Sequence, residues 1–251
     1  MSQSVERAVE ILEYVAVRPR TQSEVAAHLD VHRSTALRVL QTLTDYGLTR
    51  RREDGKYSVG YRLAGLANAA REQFDFANVA RPYLVGLGEQ CSHTIHLAAL
   101  EANRIIYMDK IEQPGMIKLF SQIGASVCLH TAGVSKAILA FQDADTVDSV
   151  MAAADFEKHT STTITSRAQF DDELALVAER GWSVDDAEYE DYVNCVAMPV
   201  RDAANRVVAA VSVTALKGRA DLTALGLLLP DLKAVTDNIS KELGWRPQNT
   251  E

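Results

Sequence analysis

A chain of 251 residues, 47% of them hydrophobic, is long enough to bury the core of one or two domains. No run of 18 apolar residues and no charged–apolar–small leader pattern is present, so the protein is expected to be soluble and cytoplasmic, without a membrane span or a signal peptide. Three widely spaced cysteines (Cys91, Cys128, Cys195) argue against a disulfide framework and show no C-x-x-C metal spacing. The net charge of −8 is unevenly spread: residues 1–66 carry ten Lys+Arg against eight Asp+Glu, the remainder sixteen against 26. Charges act over a Debye length of about 10 Å, so the acidic remainder does not veto a nucleic-acid partner for the basic end.

In chain order, residues 4–17 predict a first helix, with Val5, Ala8, Val9, Leu12, Val15 and Ala16 as an apolar stripe for the next two helices. Arg18-Pro19-Arg20 stops it. Thr21 with Glu24 forms a capping box ahead of Val25, Ala26 and Leu29. A third helix runs from about Arg33 to Tyr46, with Ala36, Val39, Leu40 and Leu43 inward, and Gly47 suits the left-handed residue that ends it. Leu48–Arg51 and Lys56–Val59 read as a hairpin reversing at Glu53-Asp54-Gly55.

Helix, turn, helix and basic hairpin together make a winged helix-turn-helix, whose second helix enters a DNA major groove. Arg33, Ser34, Thr35, Arg38 and Gln41 lie on the polar face of that helix. Hydroxyls and free N–H groups of a first turn grip phosphate, and Arg38 reaches phosphate or guanine. Arg50, Arg51, Arg52 and Lys56 put four cations on the wing. Two amphipathic helices and a hairpin also occur in domains that bind no DNA; the one-signed charge of this face favours DNA.

Tyr61–Glu72 resumes helical spacing through Leu63, Leu66, Ala67 and Ala70, a connector whose small apolar face is a candidate dimer seam, as is the first helix. Further on, a helix at Val79–Gln90 precedes strands Thr94–Leu100, Arg104–Ile111 and Met116–Ser121 and a helix over Thr131–Phe141. Residues 166–180 form a helix stopped by Gly181; Trp182–Asp186, Val193–Arg201 and Arg206–Leu216 are strands. A last helix, Leu222–Leu243, is interrupted at Pro230. Two groups of strands separated by helices predict an α+β sensor-like domain, not a doubly wound parallel sheet.

No phosphate loop, dinucleotide fingerprint, nucleophile elbow or HExxH occurs, so the chain is expected to be no enzyme and to need no cofactor. A metal site from His93, His96 and His130 stays open as an alternative. Asp185, Asp186, Glu188 and Glu190 crowd a strand end and read most simply as a solvated acidic loop. A binding site is better supported. The loop 124–130 feeds a turn of Thr131, Ala132 and Gly133, with Lys136 beyond, where small residues and free N–H groups suit an anion. Ser212 and Thr214 alternate within an apolar strand, so both hydroxyls face one side, towards a ligand or a local backbone partner.

The segments SVERAVEILEYVA, STALRVLQTL with the following YGL, and GKYSVGYRL resemble the N-terminal domain of the IclR-type transcriptional regulators. LHTAGVSKAILA, GWSVDDAEYEDYVNCVAMPV and NRVVAAVSVTAL carry the likeness through the second half. The resemblance implies a winged helix-turn-helix over residues 1–62, a linker helix over 63–80 and a GAF-like effector-binding domain over 81–247. It implies a homodimer or dimer of dimers that binds a pseudo-palindromic double-stranded DNA operator and controls a catabolic operon in response to a small carboxylic or aromatic acid. The effector pocket it implies is lined by Met116, Leu119, Val127, Gly133, Val134, Asp185, Val193, Cys195, Ser212 and Thr214. Three residues depart from the family pattern: His32, expected to weaken the cap of the recognition helix, and Cys128 and Ser135 on the segment entering the pocket. The competing reading is a small-molecule sensor or enzyme whose N-terminal domain binds protein.

Overall fold

The computed structural model describes residues 3–73, 76–112 and 121–247. They form two compact units that divide between Asp75 and Phe76.

In the first unit, α1 (Gln3–Val17), α2 (Gln22–His28) and α3 (Arg33–Asp45) surround a core of Ile11, Val15, Val25, Ala36, Leu40 and Leu43. Of the expected stripe of α1, Val15 is buried and Ala8 and Leu12 pack against the core, joined by the buried Ile11, which lay outside it; Val5, Val9 and Ala16 are exposed, because the face that packs is centred on Ile11 and Val15. The capping box of α2 is present: Thr21 N–H donates to Glu24 Oε2 at 2.7 Å, and Glu24 N–H to Thr21 Oγ1 at 3.2 Å. Gly47 follows α3 with φ 70°, a conformation that costs a Cβ-bearing residue steric strain. Strands β1 (Thr49–Arg51) and β2 (Tyr57–Val59) pair antiparallel as the wing. A bridge from Arg20 to Tyr57, with N–H···O distances of 2.7 and 2.9 Å, ties the wing to the loop before α2. Helix α4 (Arg62–Gln73) closes the unit, with Leu66 exposed.

The second unit opens with α5 (Phe76–Cys91) and carries a five-stranded sheet. Its strands are β3 (Thr94–Glu101), β4 (Arg104–Ile111), β5 (Ser183–Asp186), β6 (Val193–Arg201) and β7 (Val207–Leu216), in the order β4-β3-β7-β6-β5, every pair antiparallel. The expected strand at Met116–Ser121 lies, but for Ser121, outside the described residues. Helices α6 (Gly133–Leu139), α7 (Ala144–Met151) and α8 (Arg167–Arg180) cover one face of the sheet; α5, α9 (Leu222–Gly226) and α10 (Leu229–Glu242) cover the other. The helix α7, begun by an Asp143 cap, falls where the sequence reads as a polar stretch. The C-terminal helix breaks at Leu227-Leu228, so Pro230 sits in the first turn of α10, where a missing N–H costs nothing.

Strand periodicity of two decides which side chains meet which layer. Ile95, Leu97, Val196, Met198, Val211 and Val213 point into the core under α5 and α10. Alternate positions (His96, Ala98, Cys195, Ala197, Ala210, Ser212, Thr214) take the α6 side, and it is this polar-spotted face that holds the cavity described next.

Candidate functional site

The basic face of the first unit is built as expected. Arg33, Ser34, Arg38 and Gln41 are exposed on α3, with Thr35 half-buried. Arg50, Arg51 and Arg52 are exposed on the wing and Lys56 is half-buried beside them. Asp54 pairs with Arg52 and Lys56, each at 3.8 Å, so part of the wing's charge is balanced locally. His32 does cap α3. Its Nδ1 accepts from Ser34 N–H at 3.4 Å and lies 2.8 Å from Ser34 Oγ. An imidazole thus does the work of the usual hydroxyl, and it holds Ser34 in a local contact.

The second unit encloses a cavity of about 380 Å³ on the α6 face of the sheet, within the range that takes small organic ligands. Gly133, Val134, Asp185, Val193, Cys195, Ser212 and Thr214 all line it. Val127 does not. It is buried in the core with Ile105 and Ile138, because its extended segment turns Ser126 and Cys128 to the cavity and the residue between them away. Met116 and Leu119 lie outside the described residues.

Gly133 is what brings α6 against the sheet: a Cβ there would fall 2.6 Å from Cys195 Sγ. Ser183 Oγ donates to Gly133 O at 2.6 Å and fixes the approach. Helix α6 begins at Gly133 without a side-chain cap and is seven residues long, shorter than the span Thr131–Phe141 expected, so its dipole is correspondingly weak. Lys136 points away from the cavity: fully buried, it donates to Glu188 Oε1 at 2.5 Å. The acidic segment is therefore only in part the solvated loop expected: Asp186 and Glu190 are partly exposed, and the other two are not. Asp185 and Glu188 are both buried, and Asp185 Oδ1 accepts from Glu188 N–H at 2.8 Å. Burial raises the Asp185 carboxyl to about 6 and that of Glu188 to about 7, with Lys136 opposing both shifts.

The cavity's polar floor includes a residue that sequence reasoning weighed only as a metal ligand. His96 faces Ser212 across the β3–β7 ladder. Its Nδ1 lies 3.2 Å from Thr214 Oγ1 and 3.5 Å from Ser212 Oγ, and its Nε2 lies 2.7 Å from Ser121 Oγ. Burial, helped by Lys110, lowers its pKa to about 3, so the ring is neutral and presents one donor and one acceptor. The two β7 hydroxyls are partnered by a side chain on the neighbouring strand, not by backbone. His93, His96 and His130 do not come together as a metal site; His130 instead meets Cys128 and His159.

One hydroxyl of the cavity lining has no such partner. Thr131 is fully buried and lines the cavity, and the Cys128 thiol, a weak donor and acceptor, is the sole group its Oγ1 meets among the described residues. No Lys or Arg lines the cavity among the described residues.

Residues 4–53 match the IclR helix-turn-helix domain, and residues 68–241 match the C-terminal domain of bacterial transcriptional regulators of the IclR type. The uncharacterised HTH-type transcriptional regulator RhmR of Escherichia coli (strain K12) is 30% identical over 241 residues, which cover 96% of this chain and 93% of RhmR. HTH-type transcriptional regulator XynR of the same organism is 28% identical over 246 residues, 97% of this chain and 98% of XynR. The crystal structure of Thermotoga maritima IclR superposes with a TM-score of 0.64 at 26% identity, covering 96% of this chain and 99% of that one.

Proposed function

The chain belongs to the IclR family of bacterial transcriptional regulators, and on that premise we propose that it controls a catabolic operon in response to a small hydroxylated organic acid bound in the α6 cavity. The family and the relatives are regulators, not enzymes, and DNA and a small-molecule effector are the partners the family implies. Among the described residues no helix is long and apolar enough to cross a membrane.

The observation that carries the effector reading is Thr131 Oγ1, a buried hydroxyl on the cavity wall that meets no oxygen or nitrogen partner and only the weak Cys128 thiol. Leaving such a group unpaired costs about 1–3 kcal/mol, which a ligand atom in the cavity would recover. His96, Ser212 and Thr214 offer a neutral set of donors and acceptors opposite it, and Val134 and Val193 an apolar wall. Asp185, raised by burial to about 6, suits a ligand hydroxyl or a bridging water, because its ionised form would repel the acid group of the ligand. Operator binding proceeds through α3 and the wing, paired in a homodimer or dimer of dimers on inverted half-sites, with the exposed Val5 and Val9 of α1 and Leu66 of α4 as candidate seam residues.

The effector must bind the DNA-competent and DNA-incompetent states unequally, since differential affinity alone shifts the equilibrium. The test is a mobility shift on the DNA upstream of the chain's own gene, repeated with a panel of hydroxy-carboxylates, followed by calorimetry on Thr131→Val and Ser212→Ala. Each variant loses one hydrogen bond, about 1 kcal/mol or roughly fivefold in affinity. A ligand that alters operator binding and binds both variants as tightly as the wild type places the effector site elsewhere.

A further inference from the structure

Cys128, His130 and His159 offer three metal-ligand atoms that all lie within 4.8 Å of one another. Cys128 Sγ is 3.8 Å from His130 Nδ1 and 4.0 Å from His159 Nε2. Around a tetrahedral Zn²⁺ with Zn–S of about 2.3 Å and Zn–N of about 2.0–2.1 Å, sulfur and nitrogen stand roughly 3.6 Å apart. The two sulfur–nitrogen separations thus need to close by only a few tenths of an ångström to hold an ion.

The surroundings are those of a prepared site. His130 is buried, and its Nε2 meets the Glu157 carbonyl at 3.0 Å. That contact puts the ring proton on Nε2 and leaves the Nδ1 lone pair facing the thiol, as outer-shell partners do for metal-binding histidines. His159 is held by its own loop. Its N–H donates to Thr163 Oγ1 at 3.1 Å, and that hydroxyl donates to Glu188 O at 2.6 Å. His159 is also exposed, which gives an ion a path in.

We propose that Cys128, His130 and His159 form a zinc site with three protein ligands at the edge of the α6 cavity. Thiolate with two imidazoles suits Zn²⁺ among the divalent ions, and three protein ligands leave a fourth position open. Cys128 itself lines the cavity, which puts the three ligands at its edge and a cavity ligand within reach of the ion. Filling it with an oxygen of the cavity ligand supplies the positive charge that no Lys or Arg among the described lining residues provides. This last step rests on the effector reading; metal capture by the three side chains does not.

The experiment uses the full chain, stripped with a chelator and titrated with Co²⁺ in the absence of any organic ligand. One Co²⁺ per chain, with a thiolate-to-cobalt charge-transfer band in the near ultraviolet and tetrahedral visible bands, all displaced by Zn²⁺, is the expected result. Cys128→Ser loses the charge-transfer band. His159→Gln, at an exposed position that leaves the fold intact, weakens cobalt binding, whereas Cys91→Ser changes nothing. No charge-transfer band at saturating Co²⁺, or a band that survives Cys128→Ser, overturns the site. Adding a hydroxy-carboxylate then tests the fourth position separately: a shift of the visible bands supports it, and an unchanged spectrum with an effector that still alters operator binding removes that step alone.

Discussion

Replacing Gly133 with alanine tests how α6 is seated on the sheet. The added Cβ falls 2.6 Å from Cys195 Sγ, with Ala197 Cβ at 3.5 Å and Ser183 Oγ at 3.6 Å. Unstrained heavy-atom contacts lie at about 3.5–4.0 Å, so only the sulfur is badly overlapped and must give by roughly an ångström. Cys195 is 5% exposed and sits in the middle of the β5–β6–β7 ladder opposite Asp185 and Thr214, so its backbone does not yield easily. Overpacking of this kind costs about 1–3 kcal/mol, offset in part by the roughly 0.5–1 kcal/mol that alanine gains over glycine in a helix. The expected net loss is about 1–2 kcal/mol. Both tryptophans, Trp182 and Trp245, lie in the second unit, so urea unfolding followed by their fluorescence reads that unit. Cys195→Ala removes the overlapping atom, so the same Gly133→Ala change made in that background should cost about 1 kcal/mol less. Residues in contact normally couple by this much, and independent ones add to within about 0.5 kcal/mol. Additive costs would falsify the contact as the cause, leaving a shift of the whole helix as the explanation.

Arg38→Ala should weaken operator binding by about 1–3 kcal/mol, and Arg51→Ala should flatten the plot of log affinity against log salt by roughly one unit. Unchanged affinity and slope in two folded variants would mean that α3 and the wing do not meet DNA. The raised carboxyls of Asp185 and Glu188 set a pH dependence whose sign follows from linkage. Both hold protons in the folded state that the unfolded chain releases above about pH 4, so their stabilising contribution is complete below that pH and is lost as pH rises through about 6 and 7. For Asp185 the loss is at most about 3 kcal/mol. Asp185→Asn keeps an acceptor for Glu188 N–H and should flatten the fall in urea midpoint between pH 5 and pH 8; equal slopes in variant and wild type would refute the assignment.

Local physics made the first unit legible in the residues. The Thr21–Glu24 capping box, the Gly47 stop and the apolar spacing of α3 act within four residues of chain, so reading them needs no knowledge of the fold. The apolar residues of α1 support two overlapping stripes that share Ala8, Leu12 and Val15, and only tertiary packing selects Ile11 over Val5 and Val9. The same division holds in the second unit. Alternation placed Ser212 and Thr214 on one side of β7 from sequence alone, and small residues at Gly133 marked a close approach. That their partner is His96, more than a hundred residues earlier, follows from the β3–β7 register, which no local pattern encodes. Burial of Lys136 against Glu188 is likewise a long-range fact, and it takes one member of an acidic run that looked solvated into the interior. Cys128, His130 and His159 show no metal spacing in the chain, because His159 reaches them on a loop pinned by threonine hydroxyls to the backbone beyond β5. Side-chain period is fixed by each strand or helix on its own, whereas the partner across a ladder or a loop is fixed by which surfaces the whole unit can bury together.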